Sequence, residues 1–181
     1  NIRGFYHGIL LTGGVGTQDR SAGHLVEDNR VDHSLDTGIR VSPGHGHLVR
    51  RNRILDTGGA PTSMYSSGIF AHADVIDNSI SGLFTTAPTG NPRAISVFGG
   101  GHVVRGNIIE GFVTSEAGSA WGIYVAGSGN RVDGNMIQRA PTGTGYGIRS
   151  QDGYTYCSQN IVGGFATGFE LCTDMGGNHA Y

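Results

Sequence analysis

Apolar and polar residues alternate around an asparagine that recurs along the whole chain. In Val49-x-x-Asn52-x-Ile54, as in most other repeats, the residues three positions before and two positions after the asparagine are apolar. Alternation with a period of two is typical of short β-strands with one buried face. No stretch of the sequence keeps the i, i+3, i+4, i+7 spacing of an amphipathic helix. The pattern predicts an all-β structure.

A second marker, a Gly-Ile pair, follows each asparagine at a later point of the repeat. The asparagines are Asn1, Asn29, Asn52, Asn78, Asn107, Asn135 and Asn160. The second markers are Gly8-Ile9, Gly38-Ile39, Gly68-Ile69, Ala94-Ile95, Gly122-Ile123, Gly147-Ile148 and Gly168-Phe169. Two markers that keep step over spacings of 23 to 29 residues indicate a solenoid of stacked coils.

The asparagines are expected to hold the corners of these coils. When coils stack, like residues lie about 4.8 Å apart, so that each amide can bond to the amide of the next coil. A buried asparagine outside such a ladder would leave polar groups unpaired, at about 1–3 kcal/mol each. We therefore assign the asparagines to structure and not to chemistry.

The unit Val-x-x-Asn-x-Ile followed by Gly-Ile-x-Val resembles the repeats of right-handed parallel β-helix proteins of the pectate-lyase-like superfamily. The resemblance covers essentially the whole chain. It implies an all-β, right-handed, three-faced β-helix of about seven coils, with residues 1–181 forming a single domain. That superfamily contains lyases, hydrolases, epimerases and phage tailspikes, so the resemblance implies a fold and no particular reaction.

Charge and apolar content narrow the classes of binding partner, and the cysteine content limits the number of disulfides. The 12 basic and 14 acidic residues nearly balance, which gives no electrostatic footprint for nucleic acid or a membrane surface. No apolar run is long enough to span a membrane. Cys157 and Cys172 can form one bridge or remain two buried thiols.

Both ends of the chain resemble parts of the repeat. Asn1 is expected to occupy a ladder position, with Arg3 in place of the usual apolar residue, and Gly176-Gly177-Asn178 looks like an interrupted repeat. Solenoids usually end in polar caps, which neither terminus resembles. We therefore expect the chain to be a piece of a longer solenoid.

Loop length indicates one side of the body as a binding side. The distance from the asparagine to the next Gly-Ile marker rises from 7 residues in the first repeat to 16 in the middle ones. Insertions at one point of a solenoid repeat emerge on one side, often the binding side. The extra residues lie at Asp56–Ser67, Thr85–Arg93, Ser115–Ala120 and Pro141–Gly145, with another insertion around Arg20 and Ser21.

Aromatic and arginine side chains occupy the outward positions of the Gly-Ile strands or border them. The expected substrate-binding residues are Arg40, Phe70, Phe98, Trp121, Tyr124, Tyr146 and Arg149. Aromatic faces stack on the C–H surfaces of sugars, and arginine can hold a uronate carboxylate with two hydrogen bonds. The alternative is that the long loops fold over these aromatic residues as a second small core.

No catalytic template is matched, and three residues are candidates for chemistry: His72, Arg149 and Glu170. Arg149 with Tyr124 or His72 could neutralise a uronate and remove a proton, as a β-eliminating lyase requires, and Ca²⁺ could supply the neutralising charge instead. Glu170 is the one acid on the outward strand face, whereas an inverting glycosidase needs two carboxylates.

Histidines at a shared corner position are expected to pack and not to bind a metal. His24, His47 and His102 each lie five residues before an asparagine. A metal bound by His24 and His47 would need a third ligand that the sequence does not place, so no metal site is expected. Gly44-His45-Gly46 resembles an element of polygalacturonase-type glycosidases, but their paired aspartates are absent.

Three functions remain open at this point. The leading hypothesis is an extracellular, cell-surface or virion-borne protein that binds, or binds and processes, an acidic polysaccharide. The second is a non-catalytic structural or adhesive spacer, and a homo-oligomer is compatible with either. The third is a piece of a polysaccharide lyase or glycoside hydrolase with its catalytic residues in other coils. Exposure of Trp121, Tyr124 and Tyr146 would favour sugar binding, and their burial would favour the spacer.

Overall fold

The computed structural model describes residues 1–12, 22–114, 118–139 and 144–181. Within these residues the strands form three parallel sheets, one of eight strands and two of seven. The insertion around Arg20 and Ser21 lies outside the described residues, as do residues 115–117 and 140–143 of the two later loops. The described part of the chain has no helix long and apolar enough to cross a membrane.

The three sheets, here called A, B and C, follow one another in each coil. Sheet A consists of Ile2–Arg3, Arg30–Asp32, Arg53–Leu55, Ser79–Phe84, Ile108–Val113, Met136–Gln138, Ile161–Gly163 and His179–Ala180. Sheet B consists of His7–Leu11, Thr37–Val41, Ser67–Ala71, Arg93–Phe98, Ala120–Ala126, Gly145–Ser150 and Thr167–Glu170. Sheet C consists of Leu25–Glu27, Leu48–Arg50, Asp74–Ile76, Val103–Arg105, Arg131–Asp133, Thr155–Ser158 and Cys172–Asp174.

Matching residues of successive coils are vertical neighbours, as the repeat predicts. In sheet B, Ile69 pairs with Ile95 and Ile95 with Ile123, and all three are fully buried. In sheets A and C the same holds for the columns that contain Ile80 and Val104. These columns of β-branched residues fill the interior of the coil, where their shape suits the pleated surface. The parallel β-helix of about seven coils is therefore confirmed.

A ladder of asparagine amides runs along the corner between sheets C and A. Each Nδ2 donates to Oδ1 of the asparagine in the next coil, at 2.9–3.1 Å, from Asn29 through Asn160 to Asn178. The Nδ2 of Asn52 also donates to the carbonyl of Val26, and its backbone N–H donates to Oδ1 of Asn78. Because every polar group of such an asparagine has a partner, its burial costs no unpaired amide.

The residue before each ladder asparagine has a left-handed backbone. The φ angle is 61° at Gly134, 66° at Gly106 and 73° at Gly177, and it is 55° at Asp77 and 56° at Gln159. This conformation is free of strain for glycine and costs other residues about 1 kcal/mol or more. The corner therefore accepts residues other than glycine, and each of them costs conformational free energy.

The first coil has a different register from the expected one. Ile2 pairs with Val31 and Arg3 with Asp32, so Ile2 and not Arg3 occupies the apolar column. Asn1 is therefore displaced by one position from the ladder, and the assignment of Asn1 as a ladder residue was wrong. An isoleucine gains more from facing the core column than an asparagine gains at an exposed end. At the other end, Asn178 does extend the ladder.

A disulfide closes the last coils. Cys157 lies in the buried column of Val132, and Cys172 lies in the last strand of sheet C. The two are bonded, with their Cα atoms 5.9 Å apart, within the usual range for a disulfide. Of the two states that the sequence leaves open, the bridge is the one in the structure.

Candidate functional site

The outward face of sheet B brings four of the seven expected binding residues, Arg40, Phe70, Tyr124 and Arg149, into one column. Its register places Arg40 beside Phe70, and Tyr124 beside Arg149. The guanidinium carbon of Arg40 lies 4.7 Å from the centre of the Phe70 ring. Glu170 follows Arg149 in the next coil. Buried Ser96 separates Phe70 from Tyr124, so the column contains both aromatic rings and charged groups but no strict alternation of the two.

A second column on the same face contains a residue that sequence reasoning missed. Arg93 lies beside Trp121, which lies beside Tyr146. The guanidinium carbon of Arg93 is 4.0 Å from the Trp121 ring and 4.1 Å from the ring of Tyr65, and 4.7 Å from that of Tyr124. The signal was available, because Arg93 precedes Ala94-Ile95 as Trp121 precedes Gly122-Ile123.

Arg93 is a cation with an unmet hydrogen-bonding group. Its Nε is buried and has no hydrogen-bond partner within the described part of the chain. Burial lowers the pKa of Arg93 below its ordinary value, yet an arginine remains charged at any physiological pH. Aromatic faces stabilise the charge through their quadrupoles but accept no strong hydrogen bond, so the guanidinium edge retains the capacity to bind an anion.

The aromatic residues form one continuous cluster. Ring centres lie 4.6 Å apart for Phe70 and Phe98, 5.9 Å for Phe98 and Tyr124, and 5.2 Å for Tyr124 and Trp121. The centre of the Tyr146 ring is 6.1 Å from that of Trp121. All five side chains are half-buried. Neither of the two outcomes foreseen for Trp121, Tyr124 and Tyr146, open exposure or full burial, applies.

The candidate catalytic residues divide into a pair and a separate histidine. Nε of Arg149 lies 2.6 Å from Oε2 of Glu170, an ion pair without the alignment of a hydrogen bond. The Arg149 guanidinium also lies over the rings of Trp121 and Tyr146, at 4.9 and 4.7 Å. The ring of His72 packs near Phe98, with centres 5.8 Å apart. Their catalytic roles remain predictions.

A cleft of about 220 Å³ opens over sheet B between the column and the loop that carries Tyr65. Its lining consists of Asp36, Thr37, Arg40, Ser63, Met64, Tyr65, Ser67, Phe70 and Arg93. Pockets for drug-sized ligands are typically about 300–1,000 Å³, so this volume suits one ring of a longer chain. Two guanidinium groups and two aromatic rings face the same space.

Asp36 is the carboxylate in the lining, and it has partners. It accepts hydrogen bonds from the hydroxyl groups of Thr37, at 2.8 Å, and of Ser63. Nδ1 of His7 lies 3.5 Å from Oδ2 of Asp36, the oxygen that also accepts the Thr37 hydroxyl. These contacts fix the loop residue Ser63 to the body of the helix, which shapes one wall of the cleft.

Three possible metal ligands meet on the corner between sheets A and B. The ligand atoms of Asp32, His33 and Asp56 all lie within 4.8 Å of one another. Asp32, however, is already bound by Nη2 of Arg30 at 3.2 Å and by the imidazole of His33. The hydrogen bond from His33 lowers the pKa of Asp32, although burial opposes the shift. A nearby arginine weakens the attraction of this cluster for a cation.

At the corner between sheets B and C, two of the three aligned histidines pack as expected. The rings of His24 and His47 are stacked, with centres 4.8 Å apart and planes inclined by 12°. The backbone N–H of His24 donates to Nδ1 of His47 at 3.1 Å. The side chain of His47 therefore accepts a backbone N–H from the preceding coil. Asn130 does the same when its Oδ1 accepts the N–H of His102.

Comparison with known proteins identifies the fold family. A family model described as a right-handed beta helix region matches residues 7–180. Neither a curated protein nor a solved structure matches the chain significantly. The match spans nearly the whole chain and agrees with the three parallel sheets and with the expected resemblance. The chain belongs to the family of right-handed β-helix proteins.

Proposed function

We propose that this protein binds an acidic polysaccharide along the outward face of sheet B, with a uronate carboxylate between Arg40 and Arg93. The observation that carries the proposal is the position of Arg93. Its guanidinium lies against the rings of Tyr65 and Trp121, and its buried Nε has no hydrogen-bond partner among the residues that the structure describes. A carboxylate can accept two parallel hydrogen bonds from such a group, which makes the contact both strong and directional.

The aromatic cluster supports a sugar chain as the rest of the ligand. Phe70 lines the cleft, and Phe98 and Tyr124 continue along the face of the sheet from it. Half-buried rings present one face with little loss of side-chain entropy on binding, which favours stacking against a sugar ring. A polysaccharide that follows the stack of coils would meet an aromatic ring or an arginine in successive coils.

The proposal assigns binding and no reaction. Among the described residues, Asp36 is the carboxylate that lines the cleft, and Thr37 and Ser63 already donate to it. An extracellular, cell-surface or virion-borne setting is part of the proposal. The bond between Cys157 and Cys172 supports it, because disulfides persist in oxidising compartments.

One observation favours the alternative of a structural or adhesive spacer. The charges on sheet B are partly satisfied within the chain, since Arg149 pairs with Glu170 and stacks on Trp121. In that case the aromatic cluster would act as a rigid surface cover over sheet B and would need no ligand.

The two functions are separated by a calorimetric titration with polygalacturonate and with its fully methyl-esterified form. We expect binding of the charged polymer alone, and at least about a tenfold loss of affinity in Arg93→Ala and in Arg40→Ala, equivalent to about 1.4 kcal/mol. Arg53→Ala removes the same charge from the exposed face of sheet A and should leave affinity within about twofold. Thermal melting of each variant monitors folding.

Arg93→Lys adds a sharper test of geometry. It keeps the charge but loses the planar pair of donors, so its affinity should fall nearly as far as that of Arg93→Ala. If folded Arg93→Ala and Arg40→Ala bind the charged polymer as the unmodified protein does, the cleft is not the binding site. If the unmodified protein binds no acidic polymer, the spacer function is favoured.

A further inference from the structure

Five of the eight histidines lie at one corner of the β-helix, between sheets B and C. They are His24, His45, His47, His72 and His102. A cleft of about 290 Å³ opens at this corner, and it is separate from the cleft over sheet B. Its lining consists of Gly44, His45, Gly46, His47, Asp74, Gly100, Gly101 and His102. Among the described residues, imidazoles and a carboxylate share this space, and the rest of the lining is glycine.

Unequal corner lengths create this cleft. The corner between Ala71 and Asp74 has two residues, whereas the corner before it, residues 42–47, has six and the corner after it, residues 99–102, has four. The short corner is recessed, and the longer ones stand on either side of it as walls. Because the walls belong to coils two apart, they are separated by about 9–10 Å.

The floor and one wall already present two donor atoms side by side. Oδ1 of Asp74 lies 3.7 Å from Nδ1 of His102, and it also accepts the backbone N–H of Val103 at 2.9 Å. A divalent ion bonds to imidazole nitrogen and to carboxylate oxygen at about 2.0–2.2 Å, so it fits between atoms at this separation.

The opposite wall supplies a third ligand, the imidazole of His45. His45 is exposed, lies between Gly44 and Gly46, and lines the cleft. Its neighbours have no side chains to restrict it, so the ring can rotate toward the middle of the cleft. The half-width of about 5 Å is within the reach of a histidine side chain.

We propose that Asp74, His102 and His45 bind a divalent transition-metal ion, with Zn²⁺ as the reference ion, across this cleft. Two imidazoles and one carboxylate suit Zn²⁺, whereas Ca²⁺ requires a shell of oxygen ligands. The carboxylate on the floor disfavours an anion, and none of the described residues that line the cleft is an arginine. Three protein ligands leave a fourth position for water or for a ligand atom.

The surrounding residues hold this arrangement in place. His47 forms part of the wall behind His45, and its Nδ1 accepts the N–H of His24, so its ring is fixed. The bond from Val103 N–H orients the Asp74 carboxylate toward His102. Partners of this kind, one step removed from the metal, usually raise the affinity of a site by fixing its ligands.

The test is a titration with ZnCl₂ alone, followed by calorimetry and by the rise in melting temperature that a bound ion produces. We expect one Zn²⁺ per chain, no comparable binding of Ca²⁺, and at least about a tenfold loss of affinity in Asp74→Asn, His102→Gln and His45→Gln. His45 is exposed, so His45→Gln keeps the test valid even if the other two variants are unstable.

Two control variants decide between sites. His179→Gln removes an exposed histidine elsewhere and should have no effect, and His33→Gln disrupts the rival group of Asp32, His33 and Asp56. The proposal fails if the unmodified protein binds no Zn²⁺ at millimolar concentration. It also fails if folded His45→Gln and Asp74→Asn bind as well as the unmodified protein, or if His33→Gln abolishes binding.

Discussion

The side chain of Asn78 donates a hydrogen bond of 3.0 Å to the side chain of Asn107, which lies 29 residues later and one coil further along. Both residues are at most 1% exposed. The contact joins two coils at a point where their backbones turn, so it fixes the register of the strands on either side. The same contact recurs in each neighbouring pair of coils from Asn29 to Asn178.

Replacing Asn78 with alanine should lower the free energy of unfolding by about 3 kcal/mol, because buried partners in both neighbouring coils lose their bonds. Asn29→Ala is the matched control, since Asn29 lies at the start of the ladder and is half-buried. It should cost about 1 kcal/mol. Urea denaturation of both variants measures the difference, and equal losses would contradict a cooperative ladder.

The left-handed corner predicts opposite effects for two substitutions. Gln159 has a φ of 56° and Gly134 a φ of 61° at the same point of their coils. Gln159→Gly should stabilise the protein by about 0.5–1 kcal/mol, and Gly134→Ala should destabilise it by a similar amount. A Cβ at Gly134 would meet no atom of the described residues within 4 Å, so the loss of stability in Gly134→Ala would report backbone strain alone. Two changes of the same sign in thermal melting would refute this account.

The glycine of the Gly-Ile pair is required for space. A Cβ at Gly122 would lie 2.4 Å from the carbonyl oxygen of Gly147 and 2.7 Å from Cγ2 of Ile137. Gly122→Ala should therefore destabilise the protein by about 1–3 kcal/mol through overpacking. Ala94 occupies the same position in its own coil, and Ala94→Gly is the comparison, with an expected loss of about 0.5–1 kcal/mol. An unchanged melting temperature in Gly122→Ala would show that the coils separate easily.

Reduction of the disulfide should weaken the last coils. Cys157 and Cys172 are 15 residues apart, and a crosslink that closes a loop of this length contributes about 3 kcal/mol. Dithiothreitol should lower the melting temperature of the unmodified protein but not that of the Cys157→Ser, Cys172→Ser double variant. If the reductant lowers both equally, the bridge does not account for the stability.

The ion pair at the end of sheet B leads to a prediction that rests on the proposed polysaccharide binding. Glu170→Gln removes the charge that now pairs with Arg149, so Arg149 becomes available to a ligand carboxylate. Affinity for polygalacturonate should then rise by about three- to tenfold. Glu110→Gln removes an exposed acid from sheet A and serves as the control for net charge. A gain of the same size in both variants would indicate a long-range effect of charge.

Much of the fold could be predicted because each column repeats a residue type. Val104 and Asn107 predict their neighbours by position alone, and the structure pairs them as expected. The first coil could not be aligned in this way, since Asn1 and Ile2 compete for the repeat without a preceding coil to decide. In the structure Ile2 pairs with Val31, so the register of the first coil follows the apolar residue.

The candidate site was harder to predict than the fold. The sequence places Phe70 and Tyr124 on one face, but it does not show that Tyr65 reaches over Arg93, because loops have no repeated register. The cleft at His45 and Asp74 likewise depends on the difference in length between neighbouring corners. Such differences are visible in the sequence only after the strands on both sides have been located.

Val104, Ile95 and Asn107 each have the same residue type in the coil before and in the coil after, and this affects how the molecule's length can change. A duplicate of residues 79–107 inserted after Asn107 would place Val104, Ile95 and Asn107 against the partners they already have. Each such insertion would lengthen the rod by about 4.8 Å. The distance between the two ends of this molecule is therefore set in equal steps, by the number of coils that a gene encodes.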